Sequence, residues 1–470
     1  MIHQFFLGLQ VMLAVYFIGL NLGYVSLNVV AMFGLMRYMQ RQDLDNMPVV
    51  FLGIEPPVSI LAPAYNEEAT AVASVRSLLQ INYGEFEIIV INDGSKDATL
   101  AVLTRAFDLR IFPEAYEHKL ETKEVRGVYQ SAKHPSLRVI DKDNGGKADS
   151  LNAGINCARY PLFCAVDADS ILQRDSLLRV VQPFLEDPTV VASGGTVRIA
   201  NGCVVEDGFL VSTGLPRNPW ALFQIVEYIR ASLFGRLGWA PLNALLIVSG
   251  AFGVFRKDVV TAVGGYLPKT IGEDMELVVR MHKHLRYAGT PYKITFVPDP
   301  SCWTEAPEDL QTLKNQRVRW QRGLGESLSR HLDLLFNPKA GTVGWLAMPF
   351  FVIFEWLGPL VETTGTLLMI TGFLCGFVST DAMAVFLLLA VGLGVMLSAS
   401  ALLMEEISFH IYPRFGQLLM LFLAVILENF GYRQLNAWWR LVGLYRWATG
   451  TPGQAAWGEM KRSASWNKPS

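Results

Sequence analysis

DKDNGGKADSLNAGINCARYPLFCAVDAD, residues Asp141 to Asp169, holds a glycine-rich turn, a lysine, a helix-length segment and an apolar strand ending in two carboxylates. Asn144, Gly145 and Gly146 make a turn flexible enough to approach a ligand closely, and Lys147 aims one cation at negative charge. Leu162 to Val166 (LFCAV) is wholly apolar between Pro161 and Asp167, as expected of a strand buried on both faces. Polar groups collect at its C-terminal end, the edge where open α/β sheets bind ligands. There Asp167 and Asp169 offer hard oxygen ligands for a magnesium or manganese ion (Mg2+ or Mn2+) carrying a diphosphate. The plainer reading, a polar loop after a core strand, stays open at this point.

Short apolar strands alternate with amphipathic helices from Val58 onward: VSILAPAY, EEATAVASVRSLLQ, EIIVIND and KDATLAVLTRAF. That alternation predicts a parallel sheet with helical crossovers. Residues 108 to 136 are polar and irregular and read as a surface excursion, after which LRVI at 137 to 140 resumes the sheet. Pro183 is expected to end or kink the helix that starts at Arg174. TVVASGGTVRI and LLIVSGAFGVFR read as further strands. The aromatic stretch within 203 to 242 has helical spacing and reads as a core helix, with a helix on a membrane surface as the alternative.

GEDMELVVRMHKHLRY opens with acids in its first turn, which suits the helix dipole. Its His282 and His284 stand two apart and cannot share a face, which argues against a metal role. Leu310 to Arg330 carries Lys314, Arg317, Arg319, Arg322 and Arg330, interrupted by Val318, Trp320 and Leu324. It reads as a helix half buried and half facing anionic groups.

Composition separates the ends from the middle. Of 470 residues 51% are hydrophobic and 17% charged, and the apolar excess is terminal. Phe5 to Met36 has no charged residue and exceeds the roughly 20 residues a bilayer requires. Arg37 and Arg41 follow it, so the positive-inside rule puts the next domain in the cytoplasm. After Ala340 the chain is apolar almost to Phe430 and reads as a membrane bundle. Its first block holds Glu355, Pro359 and Glu362, acids that either face a partner or a water-filled passage, or lie near headgroups. The basic tail favours a cytoplasmic C-terminus. The divisions expected are a membrane helix over 1–40, a cytoplasmic α/β domain over 41–340, a bundle over 341–435 and a tail over 436–470. A net charge of −2 and the lack of a basic run with interleaved aromatics argue against a nucleic-acid partner. The five cysteines lack a C-x-x-C pairing and read as buried thiols of a reducing compartment.

Five short motifs stand in order: INDGS at 91–95, GGKADSLN at 145–152, DAD at 167–169, GED at 272–274 and QRVRW at 316–320. Together they resemble membrane-embedded family 2 glycosyltransferases of the processive type (poly-N-acetylglucosamine, hyaluronan and cellulose synthase-like). The resemblance covers Val58 to about Gly323. It implies a GT-A-type fold, a mainly parallel α/β nucleotide-diphospho-sugar transferase domain flanked by transmembrane helices. It implies that Asp93 reads uracil and that Asn66, Glu67, Lys147, Asp167 and Arg319 bind the nucleotide-sugar, with Asp167 and Asp169 holding the metal. Asp274 is implied as general base with Glu273 beside it. Gln316, Trp320, Ser249 and Gly250 are implied to line the acceptor's seat, with Ser249 standing where Thr is common. The chemistry agrees: expelling a nucleoside diphosphate requires its charge to be neutralised, and the attacking hydroxyl requires a base.

The function expected is inverting transfer from a UDP-sugar, with UDP-N-acetylglucosamine taken from the resemblance, onto a growing β-linked polysaccharide passed through its own helices. The alternatives are a single transfer to a lipid, giving a glycolipid, and a transporter or receptor that only binds nucleotide-sugar. The expected location is the inner (plasma) membrane, multi-pass; an export partner is not identified.

Overall fold

The computed structural model describes residues 2–45, 53–113, 115–167, 170–206 and 209–450 of the chain. The N-terminal apolar run is one helix, α1 (Ile2–Asp45), and its His3–Gln40 portion is long and apolar enough to cross a membrane.

The α/β unit begins with β1 (Val58–Ala64), α2 (Ala71–Leu78), β2 (Phe86–Asp93) and α3 (Thr99–Phe107). All of β1 is buried because it lies mid-sheet, parallel to β2 on one side. β3 (Leu109–Ile111), β4 (Val125–Ser131) and β5 (Leu137–Lys142) follow. The expected surface excursion is thereby corrected: β4 pairs antiparallel with β5, and β3 pairs antiparallel with β4 as the edge strand at this end of the sheet. β4 is held by main-chain bonds to β3 and β5 and keeps most of its side chains partly exposed, so Val125–Ser131 needs no continuous apolar run.

Next come α4 (Lys147–Cys157), β6 (Leu162–Val166), β7 (Ile171–Leu172), α5 (Ser176–Glu186) and β8 (Val190–Ile199). Pro183 does not stop α5 at once. It falls in the last turn, and its own carbonyl accepts from Asp187 N, which closes the helix. β9 (Val204–Glu206) and β10 (Phe209–Ser212) form a separate small hairpin. α6 (Pro219–Arg230) runs through a π-helical turn into α7 (Leu237–Trp239). The aromatic stretch is thus a core helix, packed between β8 and the C-terminal helices.

β11 (Phe252–Arg256), α8 (Lys257–Ala262), α9 (Glu273–Tyr287), β12 (Lys293–Thr304) and α10 (Leu310–Arg330) complete the unit. The strand expected over 245–256 is shorter than the apolar run. Phe252 N bonds back to Ser249 O, and that turn delays pairing until Phe252.

Among the described residues the sheet has ten strands in the order β3-β4-β5-β2-β1-β6-β11-β8-β12-β7. β5, β2, β1 and β6 form the expected parallel core, and β8 pairs in parallel with β12. β11 is antiparallel to both β6 and β8, which makes the sheet mixed.

Beyond Ala340, Val343–Trp356 includes the short α11 (Met348–Phe350) and meets α12 (Gly358–Leu374) at a 43° bend. Pro359 sits in the first turn of α12, where a missing N–H does little harm. α13 (Thr380–Leu387) and α14 (Leu393–Phe409) join into one helix long enough to span. α15 (Phe415–Leu427) and α16 (Tyr432–Ala448) are bent by 55°.

The acids of the first block face partners. Tyr16 donates to Glu362 at 3.3 Å, while Glu355 takes Tyr24 and Arg440, the latter at 3.0 Å. The division expected at 435/436 falls inside α16, which docks on α10 and is no free tail. Gly443 permits the contact, since a Cβ there would lie 2.8 Å from Gln321 Cβ and from Val318 O. Residues 451–470, with Lys461, Arg462 and Lys468, lie outside the described residues. Four cysteines are buried as expected, but Cys375 is exposed, because it follows the last turn of α12.

Candidate active site

The glycine-rich turn is built around Asp93, the last residue of β2. Its Oδ1 accepts from Lys142 Nζ (2.8 Å) and Gly145 N (2.9 Å), and its Oδ2 from Gly146 N (2.8 Å) and Asn144 Nδ2 (3.1 Å). Asp93 is 4% exposed, so its visible task is to shape the turn. Gly146 has φ +87°, a left-handed value open to glycine, and it delivers Lys147 as the first residue of α4.

Lys147 is where the distant motifs converge. Its Nζ forms an ion pair with Asp167 Oδ1 at the end of β6, donates to Gly250 O (3.2 Å) and lies 3.7 Å from Glu273 Oε1. Gly250 N in turn donates to Asp274 Oδ2 (3.2 Å). A Cβ on Gly250 would stand 3.0 Å from Lys147 Nζ, so a side chain there would require the ammonium to shift by about a few tenths of an ångström, and would touch Asp274 Oδ2 at 3.5 Å. Burial alone would push the lysine ammonium down, but Asp167, Glu273 and Asp274 outweigh it and hold it above the ordinary lysine range. Burial pushes Glu273 up to about 7, with Lys147 opposing and Asp274 reinforcing the rise. Asp274 Oδ1 accepts from Met275 N (2.8 Å), which fixes the carboxylate at the start of α9.

Asn66 and Glu67 follow β1 and lace it to the loop after β2. Asn66 N donates to Ser95 Oγ (3.0 Å), Lys96 N to Asn66 Oδ1 (2.9 Å) and Glu67 N to Thr99 Oγ1 (2.9 Å). Ser249 Oγ accepts from Ala251 N (3.3 Å), which shapes the turn presenting Gly250. On α10, Gln316 is buried, its Oε1 without a partner among the described residues, and Trp320 is 43% exposed. The Arg317 guanidinium lies 4.4 Å from the Trp320 ring centroid and pairs with Glu227 (2.8 Å). Arg319 is half-buried, and among the described residues no hydrogen bond or ion pair holds it.

The structure therefore gathers Lys147, Asp167, Gly250, Glu273 and Asp274 into one contact cluster, with Ser249 in its turn. Asn66, Glu67 and Asp93 organise adjoining loops. Asp169 lies outside the described residues, and among those described no three His, Cys, Asp or Glu side chains converge to hold a metal.

Several supports were not read from the sequence. Lys142, fully buried, ties Asp93 to Asp149 of α4 (2.6 Å). Asn152 bonds both backbone groups of Tyr266. Glu326 Oε2 accepts from Ile271 N (3.0 Å) just before the GED motif. The signal available for Asn152 was its place in GGKADSLN; nothing local marks the others, whose partners are distant in sequence.

A lysine and acids thus gather at one edge of a mixed α/β sheet. The chain belongs to the glycosyl transferase family group 2, whose family model matches residues 162–397, about half of it. The model for glycosyl transferase family 2 matches residues 59–208. Among curated proteins the chain is similar to the poly-beta-1,6-N-acetyl-D-glucosamine synthase of Staphylococcus epidermidis, at 29% identity over 276 residues, 58% of this chain and 56% of that protein. It is 29% identical to the Staphylococcus aureus (strain COL) synthase over 293 residues, 62% and 60% of the two. The matched stretch thus spans less than two thirds of these relatives. Among solved structures, a mannosyltransferase from Pyrobaculum calidifontis in complex with GDP-Man and Mn2+ aligns with TM-score 0.48 and 16% identity, covering 88% of this chain and 99% of that one.

Proposed function

We propose that this glycosyltransferase builds a β-linked polysaccharide from a UDP-sugar, UDP-N-acetylglucosamine by kinship with the staphylococcal synthases. The observation carrying the reading is the junction of Lys147, Asp167, Glu273 and Asp274, which brings a cation for phosphate and a half-buried carboxylate for proton removal to one place. Asp274 takes the proton of the attacking acceptor hydroxyl, on the face opposite the leaving group, which gives inversion. Lys147 and Arg319 neutralise the departing diphosphate. Asp93, Asn66 and Glu67 border the nucleotide, and Gln316, Trp320, Ser249 and Gly250 border the acceptor.

Paired carboxylates are hard oxygen donors, and Asp167 and Asp169 would hold a divalent ion such as magnesium or manganese. Such an ion supplies charge neutralisation on the leaving phosphates.

The catalytic unit is read as cytoplasmic at the inner membrane. α12 and the α13–α14 helix cross it, and the bent α15–α16 pair re-enters from the cytoplasmic side. Two ties to the sheet support this: Glu405 near the end of α14 pairs with buried Arg198 of β8 (2.5 Å), and Tyr38 near the end of α1 bonds Asp299 of β12.

Purified protein incubated with a panel of UDP-sugars and Mg2+ or Mn2+ tests the reading through UDP release and product size. Long polymer supports it, a single sugar on lipid favours the alternative, and no turnover of any UDP-sugar rejects both.

A further inference from the structure

Gly323 lies one turn beyond Arg319 on α10, outside the five motifs. Helical spacing puts Gln316, Arg319, Trp320, Gly323 and Ser327 along one stripe. At Gly323 the helix meets the residue that opens the GED motif with no side chain between them. A Cβ on Gly323 would lie 2.9 Å from Gly272 N and 3.0 Å from Gly272 Cα, and one on Gly272 would lie 3.0 Å from Gly323 C and O. Hydrogen bonds flank the contact: Ile271 N donates to Glu326 Oε2 (3.0 Å) and Ser327 Oγ to Gly272 O (3.3 Å). One turn further, Glu276 of α9 meets His331 (3.2 Å).

α10 has little room to retreat from this seat. Gln321 Nε2 donates to Trp356 O (2.9 Å), a Cβ on Gly325 would lie 2.9 Å from Trp356 Nε1, and Gly443 of α16 packs on Val318 and Gln321. A methyl at position 323 therefore pushes on the Ile271–Gly272 backbone, two residues from Asp274.

We propose that Gly323 is a positioning residue for sugar transfer, its missing side chain setting the separation between Asp274 and the Gln316–Arg319–Trp320 stripe. The inference rests on Asp274 being the base. A base on the acceptor side and a cation on the leaving-group side must flank the reacting carbon, and displacement by a fraction of an ångström to one ångström lowers the rate steeply. Alanine is the better helix former, so a loss in Gly323→Ala does not come from propensity.

The test uses the full-length protein in lipid nanodiscs, measuring UDP binding with Mn2+ by calorimetry and turnover of the UDP-sugar it uses. Gly323→Ala is expected to keep UDP stoichiometry and Kd within about twofold while kcat falls about ten- to hundredfold. A kcat within threefold of the parent overturns the proposal. Where stoichiometry falls in step with kcat, Glu326→Ala decides: full binding with kcat lowered severalfold supports the proposal, and an unchanged kcat overturns it. Asp274→Asn separates the two readings. If it is inactive while Gly323→Ala is fully active, positioning alone fails; if Asp274→Asn is active, the base assignment fails whatever Gly323 does.

Discussion

Asn152 holds Tyr266 by both of its backbone groups: Asn152 Nδ2 donates to Tyr266 O and Tyr266 N donates to Asn152 Oδ1, each at 2.8 Å. The side chain thus acts as a piece of strand, tying α4, which carries Lys147, to the loop that leads into Glu273 and Asp274. Asn152→Ala leaves a buried N–H and C=O without partners, at about 1–3 kcal/mol for each group. The expected outcome is a thermal midpoint lowered by several degrees together with weaker activity, read from melting curves and turnover. A midpoint equal to the parent's would contradict the bracing role.

Asp274→Asn keeps the shape and much of the hydrogen bonding but cannot accept a proton. Transfer is expected to fall by about 10² to 10⁴, with UDP-sugar affinity nearly unchanged. If the carboxylate only capped α9, asparagine would serve nearly as well and activity would persist. A folded variant within about tenfold of the parent rate would remove Asp274 from the mechanism and turn attention to Glu273.

Asp169→Asn tests the metal through binding. Nucleotide affinity should drop when magnesium or manganese is present and be equal to the parent's in chelator, because the lost ligand acts through the ion. Equal weakening in both conditions would make the Asp-x-Asp a structural turn.

His282 gives α9 an acid limit. It is fully buried, with Nε2 2.8 Å from Leu245 O and Nδ1 2.6 Å from Tyr292 Oη, and burial lowers its pKa to about 4. The unfolded chain takes up the proton near 6.5, so this stability is complete above pH 6.5 and is lost as pH falls toward 4, up to roughly 3 kcal/mol. His282→Gln should melt with a shallower pH dependence than the parent between pH 6.5 and 4.5. Parallel curves would dismiss His282 as the source.

Topology can be read by thiol labelling. Cys375, exposed between α12 and α13, should react from outside the cell, and a probe at Ser465→Cys only after permeabilisation. Labelling of both from the same side would overturn the two-crossing arrangement.

How much was legible depended on how local the cause was. Helix α10 spans Leu310–Arg330 as its pattern of apolar and basic residues predicts, and β6 spans the apolar Leu162–Val166, since periodicity and continuous burial are written in consecutive residues. Strand β4 was missed because its pairing comes from the backbones of β3 and β5.

The sequence by itself determined the family, the five motifs, the run of strands and helices, and the apolar ends able to cross a membrane, because each depends on residue type and short-range spacing. Only the tertiary structure decided that Asp93 spends its oxygens on the turn before Lys147, that α16 backs α10, and that Gly272 and Gly323 touch. Those relations join residues tens to more than a hundred positions apart, and they arise from how close two backbones can approach, which no single stretch of sequence records.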